Sequence, residues 1–513
     1  MDKPHIIFIT SDQHRGDCYG FRGRGVYTPH LDRLAASGLD FQNCITPSLV
    51  CQPARASILT GQLPFTNGVV DNGIDLDPEI GEAGFGGGLS KAGYRTGFFG
   101  KAHFSTKATF EPKRTPENQS AAYPPDWDGP YMGFDKVQLA VLGKFFRNRE
   151  PARSPFGRHY LEWFFDTVAG EEGYEIYKQE TRPGVGANQT WNSALPVAWH
   201  VSSWVADRSI EYLKANAADG PVCIWASFPD PHHPFDCPEP WSRLHDPATV
   251  DIAKHHEKDL DSRPWWHRES LEGDPKIDDP ALKKYRKSGT RVLEQADAQL
   301  REMTANYYGM ISLIDHNVGR ILNAIDEAGI RDNCLIVFTS DHGDLLGDHG
   351  LYLKGPTPYE GLLNVGAIVS GPGIPPGEVI SDPVSTLDFA ATFCDLAGAG
   401  ALKNAQSQSL RPYLESGKKA EGMRTAAYSE WNMDASRCGV EVEIRTVRTA
   451  QAKLTIETES GAGEMYDLST DPLEMDNVFE DPKYASLRSD LEKKLNDRPG
   501  PVLDTFPDPI GMA

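Results

Sequence analysis

The sequence has no apolar run long enough to cross a bilayer. Its most apolar stretches, such as His5 to Thr10 and Leu335 to Thr339, are only strand-sized, so no membrane partner is expected. The N-terminus has no basic stretch leading into an apolar one and enters a strand-like run at once. No secretory signal is therefore expected, and a cytoplasmic location is. Basic residues are in deficit: 51 Lys and Arg stand against 73 Asp and Glu, a formal charge of -22. Such a chain repels phosphate backbones, so nucleic acid is not an expected partner, and any anionic substrate must be drawn by local positive charge. Cys-x-x-Cys pairs and zinc-type Cys or His spacings are lacking. Cys18, Cys44, Cys51, Cys223, Cys237, Cys334, Cys394 and Cys438 show no pairing rhythm and read as free thiols, mostly buried. There is no internal repeat and no low-complexity tract.

What is present is enough apolar material for real cores, at 39% hydrophobic and 10% aromatic residues, which argues against a disordered chain. The length, 513 residues, exceeds what one compact core usually covers and favours a large domain with a smaller appendage. The run from His5 to Thr10 predicts a strand covered on both faces. Thr28-Pro29 predicts a helix start and Gly38 its end. Cys51 to Gly61 reads as a loop running into a short helix near Pro53. Strands are predicted at 94–100, 222–228, 335–339 and 367–369. Helices are predicted at 203–217, 308–328 and 387–396, the second from the stripe Ile311, Ile314, Val318, Ile321, Leu322 and Ile325. Alternating strands and helices predict an α/β fold with a mainly parallel central sheet covered on both faces. This unit is expected to fill residues 1–400, with insertions at about 104–200 and 233–300, long enough to act as functional covers. Residues 401–513 read as a smaller α+β subdomain, with short antiparallel strands at 426–468, a helix at 482–495 and a tail.

Four predicted strands end in reactive side chains: Asp12-Gln13, Lys101 with His103, His232-His233, and Asp341-His342. Ligands of open α/β sheets bind beyond the carboxyl ends of the strands, so these clusters could converge. Singly, each has an ordinary reading. An Asp after a strand forms turns or caps, a lone His is commonly structural, and Lys101, Lys354 or Arg55 could be a solvated or surface charge. Four clusters at equivalent places shift the balance. Asp12, Gln13, Asp341 and His342 offer hard oxygen and imidazole donors that suit a divalent cation. Lys101, Lys354, Arg55 and protonated histidines supply charge for an anion. Cys51, just ahead of a helix start, lies where backbone N–H groups favour anions and lower a thiol pKa. A plain thiolate nucleophile is one possibility from the residues alone.

Cys51-Gln-Pro-Ala-Arg55 resembles the Cys-x-Pro-x-Arg signature of type I sulfatases, in the alkaline phosphatase superfamily, and the likeness runs on through Gly61. Gly100-Lys-Ala-His103, Pro231-His-His-Pro234, Ser340-Asp-His-Gly343 and Tyr466 to Glu474 with Asn477 resemble further blocks of that family. The resemblance implies that a formylglycine-generating or equivalent enzyme oxidises Cys51 to formylglycine, whose hydrated diol is the nucleophile. It implies that Asp12, Asp341, His342 and an oxygen of residue 51 hold one metal ion, with Gln13 a further ligand. The family favours Ca²⁺, and the donor types also admit Mn²⁺ or Mg²⁺. Lys101 and Lys354 would face the sulfuryl oxygens, Arg55 would orient the diol, His232 would protonate the leaving alkoxide, and His103 would drive release of the covalent sulfate.

Asp12-Gln13 and Asp341-His342 replace the Asp-Asp and Asp-Asn of many sulfatases. They resemble the bacterial branch of choline sulfatases and phosphonate monoester or phosphodiester hydrolases. The expected activity is hydrolysis of a small-molecule sulfate ester to alcohol and sulfate. The alternatives are a phosphonate monoester or phosphodiester hydrolase on the same scaffold, or an anion-binding homologue whose Cys51 stays unmodified. The organic half of the substrate is not readable. Tyr131, Phe145, Phe146, Tyr160, Trp163, Phe164, Phe165 and Trp191 could line an apolar or cation-binding cover or pack locally. A homo-oligomer, with the last dozen residues exchanged, is a possible assembly.

Overall fold

The computed structural model describes residues 3–106, 108–109, 117, 122–140, 157–288, 291–292, 294–419 and 421–512. Its frame is an eight-stranded sheet. In chain order the strands are β1 (His5–Asp12), β2 (Leu39–Phe41), β3 (Arg95–Gly100), β4 (Lys136–Leu139), β5 (Val222–Pro231), β6 (Cys334–Ser340), β7 (Ala367–Ser370) and β8 (Glu378–Ile380). In space they lie as β8-β2-β7-β6-β1-β5-β3-β4. Only β7 runs against its neighbours; every other pairing is parallel. This is the mainly parallel α/β architecture expected from the sequence.

Alternation along β1 shows why its sequence is apolar throughout. Ile6 and Phe8 face one layer, where Phe8 meets Phe85, Trp225, Phe389 and Phe393. Ile7 and Ile9 face the other, with Val205, Ile314 and Val318. Helices α1 (Pro29–Ala36), α3 (Val201–Asn216) and α4 (Asp297–Glu327) supply the second layer; α2 (Cys51–Thr60) and α5 (Asp388–Ala397) belong to the first. Two boundaries differ from the sequence reading. β1 and β5 extend to Asp12 and Pro231, so the candidate ligand Asp12 is itself the last residue of its strand. α4 begins at Asp297 rather than near 308, because Leu300, Met303 and Tyr307 pack into a separate cluster with Phe235 and Leu346.

The C-terminal part carries a four-stranded antiparallel meander: β9 (Ala426–Met433), β10 (Val442–Thr449), β11 (Ala452–Glu457) and β12 (Gly463–Asp467). Helix α6 (Ala485–Asn496) lies near it, burying Leu491 in a cluster with Val447, Leu454 and Met465. The tail packs on its own chain. The Leu503 N–H donates to the Phe65 carbonyl (2.9 Å), and Gly511–Met512 pairs with Ala108–Thr109. All eight cysteines are buried thiols outside any disulfide. Among the described residues no helix is long and apolar enough to cross a membrane.

The aromatic cover suggested by the sequence is not there in the described residues. Tyr160, Phe164, Phe165 and Trp191 are buried in the core beside α3, Trp163 packs against it, and Tyr131 belongs to the opposite layer. They bury apolar area against the scaffold, which outweighs display in a cleft. Phe145 and Phe146 lie outside the described residues.

Candidate active site

The four reactive strand ends belong to four adjacent strands, β6, β1, β5 and β3. Their register keeps the ends level: Ser11 pairs with Ser340, Asp12 with Pro231, and Gly100 with Ser227. Residues separated by more than 300 positions therefore leave the sheet side by side. Gly100 (φ 116°) allows β3 to close on β5, since a Cβ there would stand 1.9 Å from the Ser227 carbonyl oxygen. The Lys101 N–H then donates to that same carbonyl (3.0 Å), aiming the chain into the site.

Cys51 is the first residue of α2, with extended Val50 as N-cap, rather than a residue ahead of the helix. Its sulfur meets His342 Nε2 at 3.1 Å and Asp12 Oδ1 at 3.8 Å, and it accepts from Lys354 Nζ at 2.9 Å. One donor atom from each of Asp12, Cys51, Asp341 and His342 lies within 4.8 Å of the others, and all four residues are buried. Gln13 has a positive φ of 68°, held by Tyr307 Oη donating to its carbonyl (2.6 Å) and by its own N–H donating to Asp341 Oδ1 (3.1 Å). Its side-chain nitrogen donates to Asp344 Oδ2 (2.5 Å) and contacts His233 Nδ1 (3.3 Å). Among the described residues, Gln13 Oε1 is buried with no hydrogen-bond partner. An orphaned amide oxygen on the residue after Asp12, together with the two carboxylates and the imidazole of the cluster, gives oxygen and nitrogen donors that suit a divalent cation. The donor set fits a metal.

Positive charge surrounds this cluster. Lys101 pairs with Asp12. Arg55 Nε donates to Asp341 Oδ2 (2.8 Å), its Nη2 lies 3.7 Å from Asp12, and its Nη1 donates to Ser227 Oγ (2.8 Å) and the Lys101 carbonyl (2.6 Å). Arg55 thus braces both carboxylates and the end of β3. Lys354 Nζ also reaches His232 Nε2 (3.1 Å) and His342 Nε2 (3.3 Å). Burial opposes ionisation of the Cys51 thiol, but Lys101, Lys354 and His342 outweigh it and hold its pKa well below the usual range. Burial and Cys51 likewise raise the Asp12 pKa, yet Lys101, His232 and Arg55 bring it below an ordinary carboxylate. Burial and the neighbouring Asp12 raise that of Asp341. His103 and His232 are both lowered to about 4, chiefly by burial. Around His103, the N–H groups of residues 103, 104 and 105 all donate to the Glu117 carboxylate, at 2.7–3.1 Å.

Every site residue singled out in the sequence faces this one region. A pocket opens above it, lined by Cys51, Lys101, His103, His232, His233 and Lys354. Other lining residues escaped the sequence reading: Lys258, Tyr285, Arg286 and Arg291 from the second insertion, and Trp431 and Arg437 from the C-terminal part. No spacing or motif marks them. The only pointer was the length of the insertion.

Fold and site together define an alkaline phosphatase-like ester hydrolase. Residues 4–399 match the sulfatase family, and residues 347–499 match the family described as N-sulphoglucosamine sulphohydrolase, C-terminal. The chain belongs to the sulfatase family, and is a sulfuric ester hydrolase. It is 29% identical to an arylsulfatase of Clostridium perfringens, over 97% of this chain and 95% of that one. It is 26% identical to a choline-sulfatase of Rhizobium meliloti, over 94% and 83%. The phosphonate monoester hydrolase of Agrobacterium radiobacter superposes with a TM-score of 0.74 at 25% identity, covering 96% of this chain and 95% of that one.

Proposed function

We propose that this enzyme cleaves an organic sulfate monoester to alcohol and sulfate, with residue 51 as nucleophile after oxidation of Cys51 to formylglycine by a maturation enzyme. The observation that carries the reading is the enclosure of Cys51 by candidate metal ligands on one side and Lys101, Lys354, His103 and His232 on the other. Formylglycine would supply a hydrated aldehyde, and a divalent cation, Ca²⁺ by family or Mn²⁺ or Mg²⁺ by donor type, would supply Lewis acidity at the sulfuryl oxygens. Asp12, Gln13, Asp341 and His342 would hold the cation with residue 51.

The protein's own residues perform the remaining work. Lys101 and Lys354 neutralise the sulfuryl oxygens and stabilise charge that shifts during transfer. Arg55 keeps Asp12 and Asp341 in place and reaches residue 51 through its field rather than by a direct bond. His232 is held by contact of its Nδ1 with the His233 carbonyl (2.5 Å), which leaves Nε2 facing Lys354 and the pocket. An arriving sulfate counters the Lys354 field and raises the affinity of Nε2 for a proton. His232 then delivers that proton to the leaving oxygen as the S–O bond breaks. His103, half-buried beside residue 51 with both ring nitrogens shielded from solvent, accepts the proton whose removal frees sulfate from the enzyme.

The second reading is hydrolysis of phosphonate monoesters or phosphodiesters, favoured by the structural likeness to the Agrobacterium radiobacter enzyme. We further propose a division near residue 400, supported by the change from parallel to antiparallel sheet. A mass spectrum of the peptide containing residue 51, beside turnover of matched sulfate, phosphonate and phosphodiester substrates, tests the function. Loss of sulfur with gain of an aldehyde, and a higher kcat/KM for sulfate, are expected. An intact cysteine in active enzyme would overturn the nucleophile; preference for phosphonate would overturn the substrate.

A further inference from the structure

The pocket above Cys51 is cationic, in a chain whose net charge is -22. Six Lys and Arg side chains line it, namely Lys101, Lys258, Arg286, Arg291, Lys354 and Arg437, and among the described residues no Asp or Glu does. Lys101 and Lys354 are committed to the floor beside Cys51 and Asp12. The other four form a wall from two distant parts of the chain, and a single sulfate ester group gives them nothing to bind.

Arg437 and Arg291 are held in place by contacts within the chain. Arg437 makes a two-pronged ion pair with Asp71 (2.7 and 3.1 Å) and lies 5.6 Å from the centre of the Trp431 ring. Arg291 donates to the carbonyls of Gly273 (2.8 Å) and Cys438 (3.1 Å), which position its guanidinium without neutralising it. Asp274 acts on Arg291 from further off but is already held by Lys283 and Lys287. Arg286 is buried in the fields of both Arg437 and Asp71; burial, then Arg437, lowers its pKa to about 10, which leaves it cationic at neutral pH. Arg286 and Arg437 therefore share the field of one carboxylate, Asp71, while Arg291 stands on the carbonyl of Cys438, the residue after Arg437. The same segment ties the wall to the floor: next to Asp71, Asn72 accepts from the Gln52 N–H (2.9 Å) at the start of α2.

Building on the sulfatase reading, we propose that the alcohol half of the substrate bears a second anionic group, a carboxylate or another sulfate, bound by Arg286, Arg291 and Arg437. Guanidinium forks match both groups in geometry and charge. Tyr285, Tyr352 and Trp431, which also line the pocket, offer flat surface for the ring or chain between the two anions. A quaternary ammonium alcohol such as choline would instead meet a wall of like charge.

The test uses full-length, matured, metal-loaded enzyme and one sugar sulfate in three forms: with no other charge, with an added carboxylate, and with a second sulfate. Choline sulfate is the fourth substrate. The wild type should favour one or both dianionic forms by about 10- to 100-fold in kcat/KM, mostly through KM, as expected for charge-assisted hydrogen bonds. Which form wins distinguishes carboxylate from sulfate. In Arg291→Gln the ratio of dianionic to uncharged substrate should collapse toward one, and Arg291→Lys should restore part of it. Lys258→Gln, at an exposed position, should lower the same ratio without a change in melting temperature, covering the case in which the Arg291 variants fail to fold. Turnover of sulfate esters with a ratio at or below one, or with choline sulfate preferred, overturns the anionic wall but leaves the sulfatase reading standing. No turnover of any sulfate ester, with phosphonates accepted, overturns the underlying reading instead.

Discussion

At the scale of single residues, the site separates groups that would do chemistry from groups that aim them. His232 belongs to the first kind. If it donates the proton to the departing oxygen, His232→Ala should lose about 10²- to 10⁴-fold in kcat on alkyl sulfates. The loss should shrink on nitrophenyl sulfate, whose leaving group needs no proton. Rates plotted against leaving-group pKa check this, and equal losses across the series would remove His232 from that role. Asp344 belongs to the second kind. It holds the Gln13 amide with Oε1 left as a buried acceptor. Asp344→Ala should weaken binding of the cation by about 10- to 100-fold, the usual effect of losing a group that orients a ligand. Metal titration of stripped protein measures it. Asp344 was not among the residues drawn from the sequence, although it stands two positions from His342. Nothing in a string distinguishes a carboxylate that binds metal from one that orients its neighbour. Gln13 and Cys51, by contrast, were legible because each sits directly at a junction between a loop and a regular element.

At the scale of elements, the C-terminal meander is joined to the second insertion by buried charge. Glu464 on β12 faces His267 Nε2 (3.4 Å) on helix Trp265–Glu272, and Tyr466 Oη donates to it (2.9 Å). Burial raises the Glu464 pKa, but His267 and Lys453 outweigh it and bring it from 4.5 to about 2. A folded pKa below the unfolded one gives stability that is fully present above about pH 4.5 and fades as the pH falls toward 2. The difference corresponds to about 3 kcal/mol. Urea unfolding of wild type and Glu464→Gln should therefore show a gap near neutral pH that narrows by pH 3. A gap independent of pH would show that Glu464 acts by packing alone. The strands and helices themselves were mostly legible, since β1, β6 and α4 carry unbroken or periodic apolar residues. Their ends were not. α4 gains three turns because Leu300, Met303 and Tyr307 find partners in a cluster that only the fold assembles.

At the scale of the whole molecule, the candidate metal centre sits where β1, α2 and the end of β6 meet, so a bound cation ties distant chain segments together. A ligand that binds only the folded state stabilises it by mass action, by about 2.7 kcal/mol at a hundredfold excess over Kd. Chelation should lower the melting temperature, and added cation should restore it in a concentration-dependent way. Asp12→Ala together with Asp341→Ala should abolish that response. A melting temperature indifferent to chelator would mean that the cluster holds no ion.

The sequence by itself determined the class of fold and the chemistry on offer, because strand and helix periods are local and reactive residues at strand ends stand within a few positions of their signals. It also placed a helix start within two residues of Cys51, through the residues immediately around it, while the structure begins that helix at Cys51 itself. The tertiary structure alone decided that β6, β1, β5 and β3 are neighbours, which levels their ends around one point. It alone decided that arginines from residues 286, 291 and 437 share a wall, while the aromatic residues between 131 and 191 turn inward. Charge and apolar area are additive along a chain, but which charges meet and which areas are covered depend on contacts between segments hundreds of residues apart.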